Sequence, residues 1–552
     1  MSVPNNVPVL IAGGGPIGLA LAADLGRRGV ETLLVEERDD KLAPAKMLEV
    51  SVRTMEFCRG LGIAEKVRNW GFPHDLPLDS VFVTDLQGYE LGRVRTASLG
   101  SRQDSDFSPE RGRPCPQTWF DPILQNCARS FAQVTLRYQT KLESFAQDAG
   151  GVSATLRERS GRAETVRARY LVGCDGFEST VRKLLGIGIK GEPHIDWSMT
   201  IYLRIPELPS RHGLTYRYVF VGPEGTWSFL TLVNGKDLWR LQLVDIDDRK
   251  LNNVDIAAMM RRCMGREVAY TVEHKDLWVR KRTVADRFAD GRVFIAGDAA
   301  HAHPPNGGLG MNTGLQDAFD LGWKLAAVLD GWGGEHLLES YDAERRPASA
   351  RAAEVSLQNY RRLISAEQRA EIYSATANGE AARRAIGARL VEENEKSWHP
   401  VGVHLGYIYH PSPIVVPDGT PQPEDDTFGY QPTAFPGARA PHVWLAPGKS
   451  TLDLFGDGFV LMKFAEVPTA AIEAAARERG VPLKVERIEH AEAAALYGRT
   501  LVLVRPDGHV AWRANAEPED AALLIDTVRG KTPGLAARRA GAATRLAVTS
   551  DP

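Results

Sequence analysis

The 552-residue sequence predicts an α/β protein: a parallel-sheet domain interrupted by an antiparallel sheet, then a small α/β domain. Three observations carry this expectation. A strand, a glycine-rich turn, a helix and a second strand begin at residue 7. Two more short apolar runs, 166–174 and 292–297, each end in a Gly/Asp turn. Between them, 196–285 alternate aromatic and β-branched residues with polar ones, the pattern of strands with one buried face.

Each element has a local reason. Residues 7–12 (VPVLIA) are apolar and β-branched and stop at glycines, as a buried parallel strand does. Residues 17–28 read as a helix and Thr32–Glu36 as the next strand, closing a βαβ unit. The segments IYLRI, YRYVFV, WSFLTLV and WRLQLVDI supply the inserted sheet. Residues from Asn312 to about Leu329 are helical in pattern, and 340–398 are Ala-rich and charged at helical spacing. Residues 410–442 are rich in Pro and Gly and read as a linker. FVLMKF, a helix at 469–480, LKVERI, TLVLVRPDGHVAWR and a last helix form the small α/β domain, followed by an Ala/Arg-rich tail from Lys531.

Composition narrows the function. Sixty-seven Lys and Arg against 70 Asp and Glu leave a net charge of −3, so no basic surface points to nucleic acid or an anionic membrane. The stretch from Ser2 to Ala23 is free of charge, but it lacks a basic leader and is broken by Gly13-Gly14-Gly15-Pro16. Five scattered cysteines (Cys58, Cys115, Cys127, Cys174, Cys263) form no CxxC and no zinc spacing, which suits a cytoplasmic protein with reduced thiols. His301 and His303 lack further ligands nearby in sequence, so no metal site is expected.

Three motifs carry chemistry. Gly13-x-Gly15-x-x-Gly18, with Pro16 opening the helix, lets a backbone approach a pyrophosphate at a helix N-terminus, and Glu36, 18 residues after Gly18, is placed for ribose hydroxyls. This predicts a dinucleotide without a 2′-phosphate in that site. Gly173-Cys174-Asp175-Gly176 ends another strand. Gly297-Asp298-Ala299-Ala300-His301 leads into Pro304-Pro305-x-Gly307-Gly308-Leu309-Gly310-Met311-Asn312 and a helix. There Asp298 can accept from polyol hydroxyls, while loop N–H groups and a helix dipole favour a developing anion.

In this order the motifs resemble the single-component FAD-dependent aromatic hydroxylases, the flavoprotein monooxygenases of the p-hydroxybenzoate hydroxylase type. Arg53-Thr54-Met55-Glu56, Gln117 and Tyr341-Asp342-x-Glu344-Arg345-Arg346-Pro347 extend the likeness over about residues 7–350. Pro436-Gly437-x-Arg439-Ala440-Pro441-His442 and Ser450-Thr451-x-Asp453-Leu454-Phe455-Gly456 resemble the start of the thioredoxin-like C-terminal domain of the phenol-hydroxylase branch, here without its Cys pair. Glu178 stands where many relatives carry Arg, Lys46 is the nearest cation to the Arg53 helix, and Glu49 is the nearest acid.

The resemblance implies a Rossmann-like FAD-binding domain (1–195 and 286–400), an inserted antiparallel β-sheet substrate domain (196–285), a linker (401–442), a thioredoxin-like domain (443–530) and a tail (531–552). It implies hydroxylation of a phenolic substrate using O2, FAD and NADH or NADPH through a flavin C4a-hydroperoxide, with a homodimer compatible. Cofactor contacts are then expected from Gly13, Gly15, Pro16, Gly18, Glu36, Glu37, Lys46, Arg53, Gln117, Asp175, Gly297, Asp298, Pro305, Gly308, Leu309, Gly310, Met311 and Asn312. Pro304, Gly308 and Gly310 are expected to position the flavin, with no side-chain acid or base assigned. Trp197, Tyr202, Tyr216, Tyr218, Trp227, Phe229 and Trp239 divide between sheet core and substrate pocket. Two alternatives remain: another flavin-dependent oxidoreductase (an oxidase or a halogenase, although the halogenase signature WxWxIP is absent), or a flavin-free binding protein on this scaffold.

Overall fold

A computed structural model describes residues 6–40, 46–102, 105–246, 254–364, 370–398 and 400–532. Most of the expected tail, 533–552, lies outside these.

The first sheet orders its strands Ala289–Asp290, Val293–Ile295, Ala163–Gly173, Asn6–Ala12, Thr32–Val35 and Val134–Arg137. The last five run parallel. A hairpin of Thr140–Asp148 and Gly151–Glu158 extends the first half of the Ala163–Gly173 strand. Val9, Leu10 and Ile11 are fully buried, as strands covered on both faces must be. The helix Pro16–Arg27 packs between the helices Leu309–Leu329 and Gln117–Arg129. Three of these neighbouring strands end at the glycine turns: Ala12 before Gly13, Gly173 before Asp175, and Ile295 before Gly297. Parallel pairing therefore brings motifs nearly 300 residues apart to one sheet edge.

The second sheet has the order Thr271–Val279, Trp197–Arg204, Leu238–Ile246, Gly225–Leu232, Arg217–Gly222, Ser80–Val83 and Glu90–Val94. It differs from the expected insertion in two ways. Its last two strands come from 80–94, ahead of the segment 196–285, and Arg217–Gly222 pairs parallel with Ser80–Val83, so the sheet is mixed. SVFV is an unalternated run buried at every position, too short to declare its partner in sequence. One face packs on Trp239, Leu241 and Leu243.

The C-terminal sheet has the order Leu483–Arg487, Phe459–Lys463, Leu501–Val504, Val510–Ala514, with the first pair parallel and the others antiparallel. Helices Ala470–Glu478, Ala491–Tyr497 and Ala521–Val528 complete it. The middle helix was not expected from sequence. The Pro/Gly-rich segment before it is no free linker: Ile414, Ala434 and Ala440 are fully buried, and Val416 N–H donates to the Ala511 carbonyl. Among the described residues, no helix is long and apolar enough to cross a membrane.

Candidate active site

A cavity of about 820 Å³ follows the edge where the glycine turns meet and continues to the second sheet. Its floor is the turn Gly13–Gly15. Gly13 sits at φ +112°, where a Cβ would lie 2.3 Å from the Cys174 carbonyl oxygen, so this glycine serves the fold. Gly18 packs the same way, its Cβ position 2.0 Å from the Gly13 carbonyl oxygen. At Gly15 a Cβ would meet nothing within 4 Å, because this position opens onto the cavity. The helix that starts here has Pro16 in its first turn, no side-chain cap and no acid in that turn, so its N–H groups face the cavity uncompensated.

Glu36 closes the turn from the next strand. It accepts from the Gly14 N–H at 2.6 Å and from the Arg38 N–H at 3.0 Å. Burial raises its pKa, but these bonds and the Arg38 guanidinium hold it below the usual carboxylate range. At the same end, burial pushes Asp121 up to about 7, against the pull of Gln117 and Arg38.

The loop 297–312 forms the opposite wall. Asp298 lies in the turn Gly297–Ala299 with its side chain exposed to the cavity. Gly308, at φ +65°, starts the helix Leu309–Leu329, again without a side-chain cap or an acid in the first turn. A Cβ at Gly310 would meet only His303 Cβ, at 4.0 Å. His303 is half-buried, and desolvation and the neighbouring His301 hold its pKa far below the ordinary value.

The far wall is the second sheet. Arg217, Thr231, Arg240 and Tyr202 are successive cross-strand partners and so share one face. Phe229 and Gln242 form the next row. Arg217 donates to Glu49 at 3.1 Å and to Thr231 at 3.2 Å, and Arg240 to the Lys46 carbonyl at 3.2 Å. Lys46, Arg217 and Arg240 all line this end of the cavity with Glu49, the carboxylate that Arg217 pairs with. Sequence reading missed this wall, although the alternation of Trp239, Leu241 and Leu243 with Arg240 and Gln242 was a usable signal.

The cavity gathers Gly13, Gly15, Pro16, Glu36, Glu37, Lys46, Gln117, Asp175, Asp298, Pro304, Pro305, Gly308, Gly310 and Met311. Asp175 is partly spent on the fold, accepting from Ser179 Oγ and the Val181 N–H. Gly18, Gly297, Leu309 and Asn312 are not among the residues that line this cavity. Leu309 and Gly297 are buried, and Asn312 is a clamp that accepts from the Ser51 N–H (2.9 Å) and Thr54 Oγ1 (2.8 Å) and donates to the Gly308 carbonyl (2.7 Å). Arg53 is not among the residues that line the cavity: it pairs with Glu56 (2.8 Å) and donates to the Asp507 carbonyl (2.7 Å) of the C-terminal domain. Of the seven sheet aromatics, only Phe229 lines this cavity, and Tyr216 lines a neighbouring one of about 320 Å³.

Comparison with known proteins fits this geometry. Residues 6–356 match the FAD binding domain family, and residues 433–530 match the aromatic-ring hydroxylase C-terminal family. The chain is 32% identical to a 4-methyl-5-nitrocatechol 5-monooxygenase of Burkholderia sp, over 95% of this chain and 97% of that one. It is 31% identical to a phenol 2-monooxygenase of a Pseudomonas sp., over 95% and 92%. A solved structure of RebC, soaked with chromopyrrolic acid and holding 7-carboxy-K252c, superposes with a TM-score of 0.90 at 38% identity, covering 96% of this chain and 100% of that one. The open glycine turn at Gly15 and the exposed Asp298 line one cavity, and with these matches the chain belongs to the FAD-dependent aromatic-ring hydroxylases, flavoprotein monooxygenases of the p-hydroxybenzoate hydroxylase type.

Proposed function

We propose that this monooxygenase hydroxylates a phenolic ring that carries an anionic group, held between the loop 304–310 and the arginine row of the second sheet. The observation that carries the reading is the excess of cations, Lys46, Arg217 and Arg240 against Glu49, on the wall facing that loop. A buried or half-buried cation is stabilised by an opposite charge on its ligand. Relatives named for phenol, a nitrocatechol and tetracenomycin support an aromatic substrate without fixing its size. A panel of phenols with and without a carboxylate, scored by stimulated NADH or NADPH oxidation and by product mass, tests this. Carboxylated phenols, or phenols ionised at the assay pH, should be favoured; preference for neutral, non-ionisable rings would overturn it. Arg240→Met should raise KM for the favoured phenol by about tenfold while leaving FAD content unchanged.

FAD, when bound, supplies the redox and oxygen-transfer chemistry, with NADH or NADPH as reductant and O2 as oxidant. The chain's own part is binding, orientation and exclusion of water. Gly15 and the first turn after Pro16 receive the pyrophosphate, Glu36 the ribose, and Asp298 the polyol chain. The uncapped helix start at Leu309 favours negative charge on the reduced ring, and Pro304 and Pro305 hold the loop in one shape. Gly310→Val should therefore uncouple the enzyme: NAD(P)H consumed per hydroxylated product should rise severalfold, with peroxide released. A wild-type ratio and wild-type FAD affinity in that variant would remove the loop from the flavin.

The C-terminal strand and helix order, β-α-β-α-β-β-α, supports a thioredoxin-like fold. No cysteine lies in 433–530, so we assign it no redox role. The five free cysteines support a reducing, cytoplasmic location.

A further inference from the structure

The function described so far leaves the C-terminal domain without a task, and it leaves a large buried charge network unused. Arg505, fully buried in the turn after the Leu501–Val504 strand, donates to Glu344 (2.6 and 3.0 Å), Asp320 (3.1 Å) and Asp507 (2.6 Å). Lys324 joins the same carboxylates, at 2.7 Å to Asp320 and 2.6 Å to Glu344. Asp320 lies one helical turn beyond Asp317, and Glu344 precedes Arg345. The His509 ring of the same turn packs at a tilt on Tyr409, ring centres 4.4 Å apart, and the Tyr409 hydroxyl accepts from Arg345 at 3.2 Å.

From there the contacts run straight to the cavity wall. Arg345 donates to Asp317 at 2.8 Å and to the Thr313 carbonyl at 3.1 Å. Asp317 accepts from the Gly297 N–H at 3.1 Å and from His301 at 2.7 Å, so it fixes the segment that presents Asp298. Burial raises its pKa, yet His301 and Arg345 hold it ionised, below the usual carboxylate range. A second branch reaches the other end of the loop. Asp507 accepts Arg53 through its carbonyl, Arg53 and Arg439 both pair with Glu56, and the same helix, Val52–Gly60, starts at Ser51 and Thr54, which bond Asn312.

We propose that the turn Arg505–His509 of the C-terminal domain is a positioning element of the FAD site, clamping both ends of the loop 297–312. Charges this deeply buried hold their geometry only while every partner is present. Displacing the turn frees Arg345 and Arg53 to move, and with them Asp317 and the helix start that holds Asn312. A cofactor site depends on such fixed placement, because its dipoles must stand ready before the ligand arrives. The proposal rests on the reading of 297–312 as the flavin loop.

The test uses the full chain, stripped of flavin and titrated with FAD. Four variants are compared: Tyr409→Phe, Arg505→Met, Arg505→Lys and, as a control, Asp298→Ala. Dissociation constants come from flavin fluorescence, and the flavin's visible circular dichroism reports its surroundings. Tyr409→Phe keeps the ring and loses one bond to a charged group, so FAD affinity should fall about fivefold. Arg505→Met should cost more, Arg505→Lys should recover part of the loss, and the visible dichroism should change in step. A lower melting temperature with wild-type FAD affinity and dichroism in Tyr409→Phe would overturn the proposal, and that variant decides the matter if Arg505→Met does not fold. Loss of FAD in Asp298→Ala beside wild-type binding in Tyr409→Phe would defeat the clamp alone. Full FAD binding in Asp298→Ala would defeat the loop reading, and the clamp with it.

Discussion

Gly15→Val is expected to purify as a folded, largely flavin-free protein. The position tolerates a side chain in the empty fold, since a Cβ there meets nothing within 4 Å. The space it would fill is where the cavity runs against the helix start at Pro16. An isopropyl group there removes the close backbone approach that a pyrophosphate needs, and affinity for FAD should fall by about 100-fold or more, equivalent to about 3 kcal/mol. The ratio of flavin to protein absorbance and a fluorescence titration measure it. Gly13→Ala makes the opposite case. Its Cβ would lie 2.3 Å from the Cys174 carbonyl oxygen, at φ +112°. That variant should lose stability itself, by about 1–3 kcal/mol, before any ligand is considered. Equal behaviour of the two variants would contradict the assignment of one glycine to the ligand and the other to the fold.

The second large effect concerns Arg439 and Glu56. The guanidinium is 2% exposed and donates its Nε to Glu56 at 3.0 Å and one Nη to Glu56 as well, with further bonds to Tyr430 and the Phe107 carbonyl. Burial lowers the Arg439 pKa and the facing carboxylate raises it further, so the pair stays ionised. Arg439→Met leaves the buried Glu56 with Arg53 and Ser108 alone. Breaking one side of such a pair should cost about 3–5 kcal/mol, seen as a lower denaturant midpoint. Arg439→Met with Glu56→Gln should cost less than Arg439→Met alone, because the stranded charge is gone.

What could be read from the sequence was what is local. The turns at Gly13 and Asp175 announce themselves by a strand, a glycine and a helix within a few residues, and that at Asp298 by a strand, a Pro/Gly loop and then a helix at Leu309; parallel pairing assembles them. The arginine row could not be read this way. Arg217, Thr231 and Arg240 become neighbours only through strand register, and alternation within one segment gives the face but not the partner. The partners of Arg53 were hidden for a related reason. Its helix starts beside the flavin loop, at Ser51, but its side chain turns to a carbonyl at Asp507, more than 450 positions later in the chain. The strand Ser80–Val83 escaped notice because a serine followed by three apolar residues carries no period to detect.

The buried course of residues 410–442 bears on how a chain of this kind can be recombined. Ile414 and Ala440 are sealed inside, Arg351 holds Asp425, Arg513 holds Asp418, and Ser412 reaches Glu344. The stretch that looks like a hinge is stitched to what lies on either side of it. Swapping the last hundred residues between two relatives at this seam would transplant half of each stitch. A working chimera would have to inherit 410–442 together with the surfaces of both neighbours from a single parent, so the three parts of this enzyme are exchangeable in evolution or in the laboratory only as a matched set.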